Sequence, residues 1–464
     1  MKHNITITRN DQYDFVVCGG GPAGFASALS AARQGLKTAV VEQMGCLGGV
    51  STSGGIHVFL GGRKLNEATR EHVRVIGGIF DEFTDSLIAD GYAVEPNTID
   101  MSFNPFGWYP RMASGIHCDP IGIKTRMEDM LLSAGVRIYY FSTLTDVIMD
   151  QSTIESIIVH NKDGFVSLSA RCFADCTGDG DLASLCNVPF EKGRKEDGLT
   201  TPASVIMVVD NVDGHDLVTY QNEHQSPKLV EIIERLKSEG SWPFLFEIFV
   251  SMQLVEKDVF LINTVRQIGV DGTSEMSRSK ALTEGRRQNI KLFAIMKQHF
   301  PGFANARIRT IYDWIGIRES RRISSVHNIK LSDALNGASY DDCIAATTYN
   351  FDLPDPLKPS YDPMMGDAKR PNAKRKHIVI QIPYRSLIPQ KVDNLIVAGR
   401  CIGCDREVLG PVRIMGPCMQ MGQAAGTAAA LFSTTKSFKT VDTDVLRKRL
   451  WDAHVINPLT LPFD

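Results

Sequence analysis

Short apolar runs that alternate with a helix-like segment open the chain and predict a βαβ unit. Residues 13–18 (YDFVVC) are suited to a buried parallel strand. Residues 23–34 (AGFASALSAARQ) place small residues on one face of a helix, which Gly35 ends. A second apolar strand covers residues 38–41 and finishes at Glu42. This order favours two neighbouring parallel strands joined by a helical crossover.

A further helix and a group of strands follow. Asp119 and Pro120 are suited to the N-cap and first position of a helix, whose apolar residues recur at helical spacing as far as Gly135. The pattern after Gly135 predicts a small antiparallel layer that returns to the first sheet. Its strands are 136–141, 144–150, 154–160 and 165–174.

Residues 191–380 carry no dinucleotide signal and predict a separate α+β domain. The pattern indicates helices over 228–239 and 274–297, and strands over 203–209 and 377–382. The chain of 464 residues is too long for one ordinary core, so two domains are expected.

Composition narrows the class of protein. The net charge of −3, with basic residues distributed along the chain, argues against a nucleic-acid partner. We interpret the densest basic run, residues 369–376, as a solvated loop. No apolar run is long enough to span a bilayer, and the first residues lack the apolar centre of a signal peptide, so we expect a cytoplasmic protein.

The ten cysteines lack the spacing of a secreted disulfide scaffold, so we expect most of them to be reduced and buried. Cys401 and Cys404 form a CxxC pair. Zinc sites normally need a second such pair or added histidines, and we expect no metal site.

A Gly-rich motif joins the first strand to the first helix. Gly19 allows the tight turn, Gly21 lets the backbone approach a pyrophosphate, and Gly24 lets the helix pack closely on the strand. The helix N-terminus offers N–H groups and a positive dipole end to phosphates. Glu42 follows Gly19 at close to the separation, roughly 20 residues, that is expected for the acid that binds a ribose hydroxyl. The motif predicts a dinucleotide and leaves NAD and FAD both open.

Three further stretches resemble a known family. Residues 43–55 are rich in Gly and Ser and can lay backbone against a flat ligand. Residues 173–181 (FADCTGDGD) and 394–400 (NLIVAGR) each contain an apolar strand, and the second precedes a small-residue helix near 416–426. Together with the Gly-rich turn they resemble the FAD-dependent oxidoreductase family. This family has the glutathione-reductase-type FAD fold of the fumarate-reductase-like branch and is related to the flavin subunit of heterodisulfide reductase.

The resemblance implies an α/β fold with FAD as the cofactor. We expect a Rossmann-like FAD-binding domain, a three-layer ββα sandwich, built from residues 1–190 and 381–464. An α+β substrate domain, residues 191–380, is inserted between them. The motif and the resemblance together imply these FAD-binding residues: Gly19, Gly21, Pro22, Ala23, Gly24, Glu42, Gln43, Gly49, Val50, Ser51, Thr145, Thr177, Gly178, Asp181, Gly399, Arg400, Gly416 and Met421.

The sequence departs from relatives at two points. Relatives that oxidise succinate carry a flavin-linked His six positions before a Gly-Gly pair, and Gly48 occupies that position here. We therefore expect noncovalent FAD, although Cys46 lies close by in the sequence. Relatives often have a His in the segment after the last strand, where this chain has Arg406.

The predicted catalytic residues are His57, Arg318, Glu319 and Arg413. His57 follows the Gly-rich tract, and the segment 315–323 (IGIRESRRI) sets charged residues among apolar ones. Two interpretations of this segment stay open: an Arg at the flavin or at a substrate oxygen, with Glu319 as its partner, or a structural salt-bridge cluster. Further candidates are His117, Tyr109 and Arg111.

These residues favour hydride transfer between FAD and a carbon of a small polar organic substrate. The alternative with the same cofactor is dithiol electron transfer through Cys401 and Cys404. A flavin-binding sensor, an RNA-associated flavoprotein and an NAD-only dehydrogenase are the remaining alternatives. An external electron acceptor or donor and a homo-oligomer are left open.

Overall fold

The computed structural model of the chain describes residues 6–107, 112–364, 366–367 and 379–461. The strands in these ranges are β1 Ile7–Cys18, β2 Thr38–Val41, β3 Val58–Phe59, β4 Arg63–Leu65, β5 His72–Arg74, β6 Ile116–His117, β7 Arg137–Tyr139, β8 Thr143–Asp150, β9 Thr153–Asn161, β10 Gly164–Asp175, β11 Phe190–Lys192, β12 Met207–Asp210, β13 Ser251–Gln253, β14 Phe260–Ile262, β15 Arg307–Ile311, β16 Arg321–Ile323, β17 Cys343–Thr347, β18 Tyr361–Asp362, β19 Gly366–Asp367, β20 Ile380–Pro383 and β21 Leu395–Val397.

The α-helices in the same ranges are α1 Pro22–Arg33, α2 Gly78–Ala89, α3 Pro120–Ser133, α4 Asp181–Leu185, α5 Gly214–Glu223, α6 Val230–Ser238, α7 Glu275–His299, α8 Leu331–Asn336, α9 Leu409–Val412, α10 Met415–Thr435 and α11 Thr443–Asp452. None of them combines the length and apolar character that a bilayer crossing would need.

A parallel sheet forms the centre of the first layer, in the order β7, β2, β1, β10, β21. Its middle strand β1 is longer than the predicted 13–18 because a polar extension, 7–12, continues its pairing with β10. The extension alternates between exposed and half-buried positions, whereas 15–18 are fully buried. The predicted α/β class with a Rossmann-like FAD domain is confirmed.

Helices α1 and α10 pack together through small residues. A methyl group added to Gly422 would lie 2.1 Å from the Ala23 carbonyl oxygen, and one added to Gly426 would lie 2.1 Å from that of Ser27. Only glycine permits so close an approach of two helix backbones. This contact explains the run of small residues near the C-terminus.

The predicted antiparallel layer is correct for three of its four strands. β8, β9 and β10 form an antiparallel meander. The first predicted strand, 136–141, was assigned wrongly, because β7 pairs in parallel with β2 at the edge of the main sheet. The long strand β10 joins the two parts, since its first half pairs with β9 and its last residues pair with β21.

A second hydrophobic core surrounds the antiparallel sheet β13, β14, β12, β15 and contains buried residues of α5, α6 and α7. Buried side chains further along the chain, such as Ile323, Ile344 and Ile382, pack instead in the core of the parallel sheet. The domain boundaries at 190 and 381 stay a prediction. The second core and its sheet, which we call the second layer, therefore consist mainly of residues from β12 to β15.

The predicted start of the helix after Asp119 is confirmed by its cap. The Asp119 carboxylate accepts a hydrogen bond from the Ile121 amide at 2.6 Å, and Pro120 occupies the first helical position. Gly135 follows the helix with a φ of +76°, a conformation that favours glycine.

Candidate active site

A cavity of about 350 Å³ lies at the carboxyl ends of the parallel strands. Its wall combines the turn after β1 and the ends of β2, β10 and β21 with residues of the second layer, from 204 to 318. Ligands of open α/β sheets bind at this edge, outside the carboxyl ends of the strands. The volume is within the range of small-molecule sites.

The three glycines of the Gly-rich turn occupy distinct environments. Gly19 has a φ of +97°, and a methyl group there would lie 2.5 Å from the Cys176 carbonyl oxygen. At Gly24 a methyl group would lie 1.8 Å from the Gly19 carbonyl oxygen. A methyl group on Gly21 would meet no atom within 4 Å, and Gly21 lines the cavity. The turn thus leaves open space at the position where a pyrophosphate has to approach the backbone, so it fits FAD.

Glu42 directly follows β2 and lies in the cavity wall. Its carboxylate accepts hydrogen bonds from the backbone amides of Gly20 and Met44, both at 2.8 Å. Burial raises the pKa of Glu42, and these two hydrogen bonds oppose the shift. The carboxylate therefore ties β2 to the Gly-rich turn and holds an acceptor at the place predicted for a ribose hydroxyl.

The loop after β10 is held by a buried carboxylate. Asp175 accepts hydrogen bonds from the Thr177 amide at 3.1 Å, the Thr177 hydroxyl at 2.7 Å and the Ala183 amide at 2.9 Å. Burial raises the pKa of Asp175 to about 6. Arg400, also in the wall, forms an ion pair with Asp179 of this loop at 2.8 Å. These contacts orient Thr177 and its neighbours towards the cavity.

Most of the residues predicted to bind FAD are in the cavity wall. Those in the wall are Gly19, Gly21, Pro22, Ala23, Glu42, Gln43, Gly49, Val50, Thr177, Gly178, Asp181, Gly399 and Arg400. Gly24, Ser51, Thr145, Gly416 and Met421 are outside it. Their neighbours Ser142, Thr143, Leu144, Met415 and Cys418 are in the wall instead.

Local contacts explain three of these differences. The exposed Thr145 bonds its hydroxyl to the Ile158 carbonyl along the meander, because only the start of β8 reaches the cavity. The Ser51 hydroxyl donates to the Gly48 carbonyl at 2.8 Å, so its hydrogen bond lies within the Gly-rich tract. The Gly416 amide donates to the Leu60 carbonyl at 3.1 Å, so this N–H is not directed at the cavity.

His57 is buried and is absent from the cavity wall, although its neighbours Ile56 and Val58 line it. Its Nδ1 lies 2.7 Å from the Ser51 carbonyl oxygen and its Nε2 lies 2.5 Å from the Tyr312 hydroxyl. Burial lowers the pKa of His57 to about 4, so the ring is neutral at neutral pH. Nδ1 then donates to Ser51, and Nε2 accepts from Tyr312. This geometry makes His57 a link between the Gly-rich tract and the second layer and disfavours a catalytic role, which stays a prediction.

Glu319 also lies away from the cavity. Its carboxylate is fully buried and accepts from Arg406 at 3.0 Å, from Arg322 at 3.0 Å and from the Thr201 amide at 2.8 Å. Arg321 bonds instead to Asp181 at 2.8 Å. The structure therefore favours the salt-bridge interpretation for Glu319. Arg406 donates to both carboxylate oxygens of Glu319, and a histidine at this position could not make the same bidentate contact.

Arg318 and Arg413 line the cavity together with Arg266, which the sequence interpretation missed. Arg318 donates to the Pro202 carbonyl at 2.7 Å and to Asn263 Oδ1 at 3.3 Å. Arg413 donates to the Asp352 carbonyl oxygen at 2.9 Å. Burial lowers the pKa of Arg266, and burial together with the other two guanidinium groups lowers the pKa of Arg318.

Further polar groups of the same wall were also missed. They are Ser204, Asn263, Arg278, Trp314, Tyr349 and Asp352. Arg278 stacks over the Trp314 ring, with its guanidinium carbon 4.2 Å from the ring centroid. Arg266 alone carried a usable signal, because it is the one charged residue in the apolar stretch 260–270 (FLINTVRQIGV).

Of the remaining candidates, His117 falls within the described residues. His117 is buried against Phe106, with a ring separation of 4.7 Å, and is absent from the cavity wall. Burial lowers the pKa of His117 to about 4. Tyr109, Arg111 and the basic run 369–376 lie outside the described residues.

Cys401 and Cys404 are buried free thiols that do not line the cavity. Burial raises the pKa of Cys401 well above its usual value and that of Cys404 to about 12. A thiolate is the reactive form of cysteine, and both sites disfavour it. Within the described ranges, no group of three His, Cys, Asp or Glu side chains is arranged to hold a metal ion.

A family model matches nearly the whole chain. The model of the family described as FAD dependent oxidoreductase matches residues 14–450. A dihydrolipoyl dehydrogenase of Trypanosoma brucei brucei is 62% identical over 37 residues, 8% of this chain and 8% of that protein. A leghemoglobin reductase of Glycine max is 52% identical over 40 residues, 9% of this chain and 8% of that protein. The matches thus span a small part of these curated relatives' own length.

Solved structures align over most of the chain at low identity. A geranylgeranyl bacteriochlorophyll reductase-like protein of Thermoplasma acidophilum is 11% identical, with a TM-score of 0.45 over 96% of this chain and 84% of that chain. The p-nitrophenol 4-monooxygenase of Pseudomonas putida is 13% identical, with a TM-score of 0.44 over 96% and 85%.

Proposed function

Because this chain belongs to the FAD dependent oxidoreductase family, we propose that it transfers a hydride between noncovalent FAD and a carbon of a small polar organic substrate. The family assignment confirms the predicted FAD cofactor and the oxidoreductase class. The continuity of the cavity carries the proposal. One wall contains both the Gly-rich turn and polar groups that are far from it in sequence, among them Arg318, Tyr349 and Asp352.

Noncovalent binding is supported by the side chains near the Gly-rich tract. Gly48 occupies the position of the flavin-linked histidine of succinate-oxidising relatives, and it has a φ of +96°, which favours glycine. Cys46 is absent from the cavity wall, and its Sγ lies 3.3 Å from the Ser53 hydroxyl. Neither position offers a nucleophile to the cavity.

The protein's own residues supply binding and proton transfer. FAD, when bound, takes up or gives a hydride. In the oxidising direction a substrate C–H bond breaks and its electron pair leaves with the hydrogen, while a second substrate proton passes to a protein group. Asp352, in the wall, offers a carboxylate that can accept that proton. The phenol of Tyr349, in the same wall, can relay it by giving up its own proton as it takes up another. An external acceptor, such as oxygen, a quinone or a redox protein, then takes the electrons.

Anaerobic mixing of the flavoprotein with a panel of small alcohols, amines and acids tests the proposal. A turned-over compound should bleach the flavin absorption, and Asp352→Asn or Tyr349→Phe should slow the bleaching by about 10²-fold or more. A matched control is Tyr361→Phe, because Tyr361 is exposed and outside the wall. Bleaching that is equally fast in both wall variants and the control would refute the assigned proton groups. A panel in which a dithiol alone bleaches the flavin would refute carbon chemistry.

The dithiol alternative has its own test. Replacing Cys404 by Ser removes one thiol of the CxxC pair. We expect an unchanged rate of flavin reduction, because both thiols are buried away from the cavity. A rate that falls to near zero while the variant retains FAD would establish the dithiol mechanism instead.

A further inference from the structure

Three guanidinium groups, of Arg266, Arg318 and Arg413, line one cavity and interact electrostatically. Arg266 follows β14, Arg318 follows β15, and Arg413 follows α9, so three separate segments bring them to one wall. Asp352 supplies a carboxylate beside them, and its Oδ2 lies 3.8 Å from Arg413 Nη2. Like charges held together away from water destabilise a fold unless a counter-charge joins them.

The partners of the three arginines differ. Arg318 and Arg413 each donate to backbone or amide oxygens of the wall. Among the described residues, Arg266 makes no hydrogen bond and no ion pair, and its Nε is buried without a partner. Arg413 Nε is likewise buried and unpaired. A buried guanidinium nitrogen without an acceptor destabilises the fold, and a ligand that provides acceptors to the guanidinium offsets that cost.

The diphosphate of FAD is poorly placed to be that ligand. The open space beside Gly21 and the N-terminus of α1 belong to the turn after β1, whereas Arg266 belongs to the second layer. The diphosphate is therefore not the anion that we assign to Arg266.

We infer that the substrate is an organic anion whose carboxylate or phosphate group is bound by Arg266, with Arg318 and Arg413 beside it. The inference rests on the proposed function, because it names the substrate class of that same cavity. The planar fork of Arg266 can donate two parallel hydrogen bonds to one such group. The anion also neutralises the repulsion among the three arginines. A neutral substrate would leave the repulsion among the three arginines uncompensated and would give Arg266 no charged acceptor.

Titration of the FAD-loaded protein with simple anions tests the inference without turnover. The probes are benzoate, malonate and inorganic phosphate, with benzamide as a neutral control and sodium chloride to match ionic strength. Binding is measured by calorimetry and by the change in the flavin absorption spectrum. We expect at least one organic anion or phosphate to bind and benzamide not to bind. The stronger of the carboxylate and phosphate arms identifies the group.

Variants assign the anion to Arg266. Arg266→Gln should weaken binding roughly 10- to 100-fold, because a hydrogen-bonded pair with a charged group is lost. Arg266→Lys should recover part of it by keeping the charge. The control Arg309→Gln makes the same charge change at an exposed ion pair outside the cavity and should bind as the parent does.

The outcomes separate this inference from the proposed function. Equal anion affinity in Arg266→Gln and Arg309→Gln would overturn the inference, as would loss of FAD from Arg266→Gln while its fold persists. A neutral compound that bleaches the flavin while no anion binds would also overturn it but leave hydride transfer intact. Anion binding that depends on Arg266, with no compound able to reduce the flavin, would support the anion site and refute the proposed reaction.

Discussion

Replacing Glu319 by glutamine tests whether this buried carboxylate stabilises the fold or acts on substrate. The change keeps the shape of the side chain and removes its charge. In the parent, two guanidinium groups and one amide point at the carboxylate. A glutamine amide offers one oxygen to these donors, and its NH₂ group then faces one of the guanidinium groups, donor against donor.

The size of the effect follows from burial. The Glu319 side chain has no exposed surface, and those of Arg322 and Arg406 are 3% and 9% exposed. Removing one partner of a buried ion pair typically costs about 3–5 kcal/mol, because the remaining charge is left uncompensated. Arg322 keeps secondary contacts to Glu191 at 3.3 Å and to the Gly193 carbonyl at 3.2 Å. We therefore expect a loss of about 3 kcal/mol, near the lower end of that range.

Urea unfolding at saturating FAD, followed by circular dichroism, measures this loss. Saturating FAD is needed because a ligand that binds only the native state adds to stability. Glu256→Gln is the matched control, since it breaks an exposed ion pair with Arg309 and should cost less than about 1 kcal/mol. Adding Arg406→Met to Glu319→Gln should restore part of the stability by removing one uncompensated charge.

The outcome that refutes this reasoning is specific. If Glu319→Gln costs no more than the exposed control, the buried network does not stabilise the fold as the contacts indicate. If its stability is unchanged but flavin reduction by substrate is lost, Glu319 acts in the chemistry after all.

Two further predictions concern the Gly-rich turn and His57. Gly21→Ala should change the free energy of unfolding by less than about 0.5 kcal/mol but weaken FAD binding about tenfold or more, because its methyl group enters open cavity space. Gly24→Ala should lower the free energy of unfolding by about 2 kcal/mol or more, because its methyl group would overlap the Gly19 carbonyl. Equal unfolding free energies in the two variants would contradict this. The pKa of His57 falls from 6.5 to about 4 on folding, so its contribution to stability is complete above pH 6.5 and is lost as the pH falls through 4, by about 3 kcal/mol in all. Urea titrations between pH 7 and 4 should show a shallower loss of stability in His57→Gln, and parallel curves would contradict the assigned burial.

The Gly-rich turn could be predicted from the sequence because each of its glycines meets a local limit. Gly19 and Gly24 lie against backbone atoms within a few residues or on the adjacent strand, and Gly21 borders open space. The limit at Gly24 follows from the order strand, turn, helix alone, whereas the carbonyl that limits Gly19 belongs to Cys176, just after β10. The N-cap at Asp119 was predictable for the same local reason.

The charged segment 315–323 could not be resolved in this way. Its side chains point in three directions: Arg318 to the cavity, Glu319 and Arg322 to a buried network, and Arg321 to the loop after β10. The partners that decide between these directions, among them Thr201 and Arg406, are far away in sequence. Long-range packing therefore determines which charges serve binding and which serve stability.

His57 illustrates the same limit in the opposite sense. Its position after the Gly-rich tract suggested chemistry, yet its ring is directed at Tyr312, which lies just after β15 of the second layer. No local pattern in the sequence indicates that pairing. The proton-transfer groups proposed here, Tyr349 and Asp352, lie in an irregular segment after β17, and the sequence did not single them out.

The absorption spectrum of the purified protein, recorded before and after denaturation, tests the central claim most directly. We expect visible flavin bands in the native protein. We also expect denaturation to release all of the flavin into solution, where chromatography identifies it as FAD. Flavin that stays attached to the precipitated chain would contradict noncovalent binding. A colourless protein that takes up no added FAD would contradict the account as a whole.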